Sequence, residues 1–302
     1  MEDQNCYICD SPHIKPYFCL KTNGLMALKC KKCSHVFIKN SPINSDNISE
    51  FYTMDDFKGK RKLQDRSRYT NYYNDCFANY EDNMSSSSVL KQFKEKAEYL
   101  SSKFSKPCRL LDVGCATGVF LSMMKKKGWD VEGVEISEEL ASYVRMNFSI
   151  KTHTKDLTRE KLISEPFHVI TLFDVIEHIP DPNLMISACK SLLAPGGILL
   201  MRTPTEDGLL RGIAKTIYRM SLKKIEFPMH WFYSFEHIHS FSLNTLSAIL
   251  EKHGFSVIKV FREEESLGRI NIPRHIRAIM QSVALVSALS NKQHKMVAVA
   301  RK

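Results

Sequence analysis

From about residue 85 to the C-terminus, short apolar runs alternate with amphipathic stretches. Leu90, Phe93, Ala97, Leu100 and Phe104 recur at helical spacing behind the hydroxyls of Ser85 to Ser88. This predicts a capped amphipathic helix that stops before Pro107. Residues 109–113 then read as a buried strand, 114–118 as a turn of small residues and 119–127 as a helix. Further strands are expected at 130–134, 150–153, 168–173, 197–201, 255–261 and 296–300, and helices at 138–147, 183–193 and 244–253. Repeated alternation of strand and helix predicts an α/β fold, a doubly wound and mostly parallel sheet covered on both faces. No internal repeat is visible.

The first 84 residues follow another pattern. Cys6-x-x-Cys9 and Cys30-x-x-Cys33, with 20 residues between the pairs, have the spacing of two knuckles around one Zn²⁺. A segment of about 40 residues cannot bury enough apolar surface to fold without such a staple. Residues 1–40 are therefore expected to form a small zinc-ribbon domain, with Lys29, Lys31 and Lys32 offsetting the charge of four thiolates. Cys19, His13 and His35 are read as packing or surface residues. Residues 41–84 are a connector carrying Phe51, Tyr52, Phe57, Tyr69, Tyr72, Tyr73, Phe77 and Tyr80. Free linkers are poor in aromatic residues, so this one is expected to lie on the domain that follows, residues 85–302. Packing is the expected role of most of these rings, with some reaching a ligand.

Composition narrows the setting. Hydrophobic and charged fractions of 43% and 25% are those of a globular protein, and no apolar run approaches the ~20 residues that span a bilayer. The polar, acidic start Met1 to Asn5 does not read as a secretory signal. Nine cysteines, an odd number, do not suggest a disulfide scaffold, and a reducing cytoplasm is the expected compartment. The net charge of +10 favours an anionic partner or serves solubility alone, since the lysines are scattered.

Each of the first four predicted strands of the main domain ends in an acid: Asp112, Glu135, Asp156 and Asp174. Ligands of doubly wound sheets lie across the carboxyl ends of the strands, and an acid past the second strand is placed to accept from a ribose diol. One past the third strand is placed to accept from an adenine amine.

At these residues the sequence resembles the class I S-adenosylmethionine-dependent methyltransferases. Leu111-Asp112-Val113-Gly114-Cys115-Ala116-Thr117-Gly118 is similar to their first motif, which cradles the methionine part of the cofactor. Val134-Glu135-Ile136-Ser137 resembles the second, with Glu135 on the ribose, and Lys155-Asp156-Leu157 the adenine-binding turn. The run from Phe173 through Asp174, Glu177 and His178 to Pro182 resembles the fourth motif, and Leu192 to Gly197 the turn before the fifth strand. The resemblance covers about residues 85–300 and implies a Rossmann-like seven-stranded sheet with its last strand antiparallel, binding S-adenosylmethionine. Ala116 stands where the family often has Gly, and is nearly as small. The cysteine segment followed by Phe51-Tyr52 resembles an N-terminal extension of many bacterial members, which often act on sugars and other small metabolites. A nicotinamide-dependent dehydrogenase would carry G-x-G-x-x-G, which Gly114-x-Ala116-x-Gly118 does not match.

Methyl transfer from a sulfonium needs an oriented nucleophile in the right protonation state. His178, beside the cofactor turn, and His237, in the Glu236-His237 pair, are the expected base or substrate positioners; His230 and His239 lie in the same stretch. Residues 205–230 are read as a substrate lid. Its helix would place Leu209, Leu210, Ile213, Ile217 and Met220 on the core side and Arg211, Lys215, Arg219 and Lys223 on a basic face. That face either is simply solvated or attracts an anionic or membrane-surface acceptor. The expected partner is a small-molecule acceptor: a sugar, a lipid-linked or another anionic biosynthetic intermediate. The alternative is RNA, bound or methylated through a ribbon presenting Tyr7, Lys29, Lys31 and Lys32.

Overall fold

The computed structural model of the chain describes residues 5–44, 46–53, 76–77, 79–264 and 274–302. Phe57, Tyr69, Tyr72 and Tyr73 of the connector lie outside them. Seven strands form the main sheet: β4 (Arg109–Val113), β5 (Asp130–Val134), β6 (Lys151–His153), β7 (Phe167–Phe173), β8 (Leu193–Pro204), β10 (Ser256–Glu263) and β11 (Lys295–Arg301). Their order is β10-β11-β8-β7-β4-β5-β6, and only β11 runs antiparallel to its neighbours. Seven mostly parallel strands with the last antiparallel are what the resemblance to the methyltransferases implies. The strand order reverses between β4 and β7, so the carboxyl ends of these two strands frame the crevice where a ligand fits.

Helices cover both faces. Against one face lie α1 (Ser88–Lys103) and α2 (Val119–Lys126), whose Ala97, Leu100, Phe120, Leu121 and Met124 pack on Leu110, Val169 and Val299. Against the other lie α4 (Pro182–Leu192) and α6 (Leu243–Lys252), whose Met185, Ile186, Leu246, Ile249 and Leu250 pack on Leu111, Ile170 and Leu199. Among the described residues the remaining α-helices are α3 (Glu138–Phe148), α5 (Leu209–Met220) and α7 (Arg274–Leu289). Local chemistry sets the helix starts: Ser87 accepts from Leu90 N–H, Asp181 caps a helix with Pro182 in its first turn, and Ser242 and Thr245 form a reciprocal box.

The N-terminal strands β1 (Ile14–Cys19), β2 (Met26–Cys30) and β3 (Val36–Ile38) form an antiparallel sheet, extended by β9 (His239–Ser240) from the far end of the chain. Phe18, Leu20, Leu25 and Val36 share one apolar cluster with Ala214, Tyr218, Met229, Phe232 and Tyr233. The ribbon and the segment after β8 are thus built on each other.

Helix α5 departs from the expected orientation in part: Leu210 packs on the core and Arg219 is exposed as expected, but Arg211 and Lys215 turn inward. Arg211 is 1% exposed, and together with Ala214 and Tyr218 it forms the inward line. The Arg211 guanidinium meets Glu206 at 2.9 Å and the Phe232 carbonyl at 3.0 Å, and Lys215 meets Glu206 at 2.9 Å. Ile213, Ile217 and Met220, expected in the core, face solvent instead. The buried Glu206 carboxylate decides this: it needs cations, and Arg211 and Lys215 supply them.

Candidate active site

The turn after β4 is fixed by its own backbone. Gly114 and Cys115 donate to the Val134 carbonyl at 2.8 and 3.1 Å, which locks the turn to the end of β5. Gly114, Ala116 and Gly118 all take positive φ, 70°, 50° and 75°. A Cβ on Gly114 would stand 2.5 Å from a Val175 methyl, and one on Gly118 2.7 Å from Val144. The Cys115 thiol turns inward, where it would meet a Cβ on Gly133 at 2.7 Å. Small side chains at these positions are therefore a packing requirement as well as a ligand clearance.

The four strand-end acids are in place, each with its own electrostatics. Asp112 is buried and accepts from the Thr171 hydroxyl at 2.6 Å, and burial pushes its pKa up to about 7. Glu135 accepts from Ala116 N–H at 2.9 Å and Ser137 N–H at 3.0 Å. Burial raises its pKa even against those donors. Asp156 accepts from Thr158 N–H at 2.8 Å, as a turn-capping acid does. Burial alone would raise the Asp174 carboxyl, but Arg202 at 2.6 Å and Lys295 at 3.1 Å hold it well below the carboxylate range.

These residues border one cavity of about 1490 Å³. Asp112, Gly114, Cys115, Ala116, Glu135, Ile136, Asp156, Leu157 and Asp174 line one end, and His178 and His237 also border it. Gly118 is not a lining residue; it starts α2 from behind the turn.

His178 and His237 stand with ring centres 4.8 Å apart. The Glu236 carbonyl lies 2.8 Å from His178 Nδ1, so Nδ1–H donates to it and fixes the ring. Burial, and His178 next to it, push the His237 pKa well below its ordinary value, leaving a neutral ring. Glu177, buried between them and Asp174, has its pKa pushed up to about 8 by burial first and Asp174 second. Both its oxygens lack a hydrogen-bond partner among the described residues. Tyr52 of the connector packs edge-on against His178 at 5.6 Å, so at least this ring reaches the site.

The opposite end of the cavity was not legible in the sequence. Thr22, Asn23 and Asn40 of the ribbon line it together with Glu226 and His230. Glu226 accepts from Lys21 N–H at 2.8 Å and Thr22 N–H at 3.0 Å, and the Thr22 hydroxyl lies 2.8 Å from His230 Nε2. Thr22-Asn23-Gly24 reads as an ordinary hairpin turn, and nothing in that pattern signals a cavity wall.

A family model described as a methyltransferase domain matches residues 86–260, more than half of the chain. The chain belongs to this methyltransferase family. Among relatives, a ubiquinone biosynthesis O-methyltransferase of Bordetella avium (strain 197N) is 32% identical over 101 residues, 32% of this chain and 42% of that protein. One from Caulobacter sp. (strain K31) is 30% identical over 131 residues, 41% of this chain and 48% of its own length. The chain thus spans about half the length of the curated relatives it matches. Among solved structures, a magnesium protoporphyrin IX methyltransferase from Synechocystis PCC 6803 with bound SAM has a TM-score of 0.52. It is 13% identical, with 87% of this chain and all of that one covered, a likeness of fold alone.

In this methyltransferase the N-terminal cysteines converge. One sulfur from each of Cys6, Cys9, Cys30 and Cys33 lies within 4.8 Å of the others, with Cys6–Cys33 at 3.5 Å and Cys9–Cys30 at 3.6 Å. Four thiolates about 2.3 Å from a tetrahedral Zn²⁺ would be separated by roughly 3.8 Å, so this donor set fits the metal. Lys32 and Cys33 N–H groups point at Cys30 Sγ, at 3.3 and 3.5 Å, as a metal knuckle requires.

Tyr7, expected on an RNA-facing surface, packs edge-on against Phe37 and His239 at 5.9 and 4.9 Å. Lys29 lies over the Tyr17 ring. None of the relatives or structures described above supports the RNA reading. Among the described residues, no helix is long and apolar enough to cross a membrane.

Proposed function

We propose that the chain transfers the methyl group of S-adenosylmethionine to an oxygen of a small-molecule acceptor. The single observation that carries this is the cavity, which joins the Gly114–Ala116 turn and Glu135 to the His178–His237 pair without a break. The turn takes the methionine end of the cofactor, Glu135 the ribose diol, Ile136 and Leu157 the faces of the adenine, and Asp156 its amine. The names of the ubiquinone biosynthesis O-methyltransferases favour oxygen as the acceptor atom.

When bound, S-adenosylmethionine would supply a sulfonium methyl group to the acceptor oxygen and depart as a neutral thioether, while the chain's own residues orient that oxygen and take its proton. The acceptor's proton passes to a neutral imidazole. His237, kept unprotonated by its surroundings, is the base, and His178, anchored on the Glu236 carbonyl, positions the acceptor. The ribbon, held by zinc on its four cysteines, walls the acceptor end of the cavity. The parts act as a zinc ribbon (1–40), a connector (41–84) and a methyltransferase domain (85–302) with a substrate-facing segment at 205–230.

The test is transfer of labelled methyl from S-adenosylmethionine to hydroxylated small molecules, alongside RNA. Label in an extractable small product, falling by roughly 100-fold or more in His237→Ala, supports the reading. Label appearing only in RNA overturns it.

A further inference from the structure

Of the 13 large apolar side chains exposed among the described residues, nine lie in α5, the segment just after it, and the end of α7. Helices α5 and α7 pack against each other, so these side chains belong to one side of the molecule. Met220 and Leu222 are each 80% exposed and Leu289 is 81% exposed, values at which a side chain makes little contact with its own protein. Ile225 and Phe227 are half exposed and also line the cavity, so the apolar surface runs up to its mouth. A water-soluble helix turns its apolar side inward. Here Glu206 draws Arg211 and Lys215 in and leaves Ile213, Ile217 and Met220 outside.

The exposed charges carried by these segments are of one sign. Residues 208–225 contain no Asp or Glu, and neither do residues 266–302. Arg219, Lys223 and Lys224 are exposed beside the apolar side chains, while the nearby Glu226 is buried on the ribbon. Apolar side chains interleaved with cations suit an interface that is both oily and anionic.

We propose that α5, the 221–227 segment and the end of α7 dock on the surface of an anionic lipid bilayer. An acceptor held in that bilayer then enters the cavity between Ile225 and Phe227. The docking rests on the surface alone. The acceptor's being lipid-borne rests also on the methyl-transfer reading above.

The test uses the full chain with its zinc in place, sedimented with phosphatidylcholine vesicles with and without phosphatidylglycerol. Three forms are compared: wild type, Met220→Glu/Leu222→Glu, and Ile163→Glu, which changes a 95% exposed residue outside the patch. The expected result is binding to the phosphatidylglycerol vesicles that weakens with salt and falls roughly tenfold or more in the double variant only. Binding of S-adenosylhomocysteine, measured on the same samples, should be equal in all three. Loss of that binding in wild type would count against the methyl-transfer reading and leave docking standing. Wild type that ignores the anionic vesicles overturns the proposal, as does equal binding by the double variant. A wild-type dimer that the double variant converts to monomer, without vesicle binding, also overturns it and assigns the patch to self-association.

Discussion

His35 of the ribbon and His239 of the opposite half of the chain are joined ring to ring, with His35 Nε2 3.0 Å from His239 Nδ1. The far nitrogen of His239 faces the Pro180 carbonyl at 3.2 Å and must carry its proton there, so His239 Nδ1 accepts and His35 donates. Both rings are buried. Replacing His239 with Ala strands a buried donor, and should cost ~1–3 kcal/mol of stability in denaturant unfolding. His35→Leu/His239→Leu should cost less than the two single changes summed, because the bond is shared.

The same junction governs the effect of removing zinc. Since β3 pairs with β9 and the ribbon core continues into Tyr218 and Tyr233, chelation should disturb the acceptor wall as well as the ribbon. S-adenosylhomocysteine binding should weaken but not vanish: Cys6, Ile8 and Cys30 share a cluster with Val113, Val134 and Leu157 at that end of the cavity, while Cys115, Phe120 and Phe173 pack in a cluster without ribbon residues. Limited proteolysis and calorimetry on zinc-loaded and chelated, reduced protein check both halves of this expectation.

Gly118→Ala should destabilise the fold by ~1–3 kcal/mol, since it adds left-handed strain to a 2.7 Å approach to Val144. Adding Val144→Ala should not rescue it fully, because space returns but the backbone strain stays. Thermal melts of the two variants separate the contributions.

Asp112 gives a pH signature. Its folded pKa, pushed up to about 7 by burial, lies above the unfolded value of about 3.9. Between those values the folded chain holds a proton that the unfolded chain has released. The contribution of this group to stability is therefore fully present at low pH and is lost as pH rises to about 7, by up to about 1.4 kcal/mol per unit. Asp112→Asn should remove that slope, so the difference between the two unfolding curves should change from pH 5 to pH 7. A constant difference would contradict the assignment.

The strands of the main sheet were legible because they carry apolar runs with turn residues between them, and Asp112, Glu135, Asp156 and Asp174 fall where those runs stop. The start of β8 at Leu193 was hidden by Pro195, Gly196 and Gly197, which read as a turn and do break the ladder: Leu193 pairs with Phe167, and pairing resumes only at Ile198 with Val169. Helix α7 is not among the expected elements although Ile276, Ile279, Met280 and Val283 recur at helical spacing, and β9 is two residues long, too short for a period to show. The inward turn of Arg211 could not be read locally. Helical spacing sorts side chains by polarity, whereas Glu206 sets the orientation through charges that meet only in the fold. The same is true of Thr22 and His230, 208 residues apart and in contact.

Calorimetric titration of S-adenosylhomocysteine into wild type, Glu135→Gln and Glu135→Ala tests the account most directly. The Glu135 carboxylate both holds the Ala116 turn and meets the ribose in the proposed pose. One site per chain is expected in wild type, weakened by ~1.5–3 kcal/mol in Glu135→Ala and by less in Glu135→Gln, which keeps one acceptor oxygen. Absence of binding in wild type, or equal affinity in all three folded proteins, would contradict it.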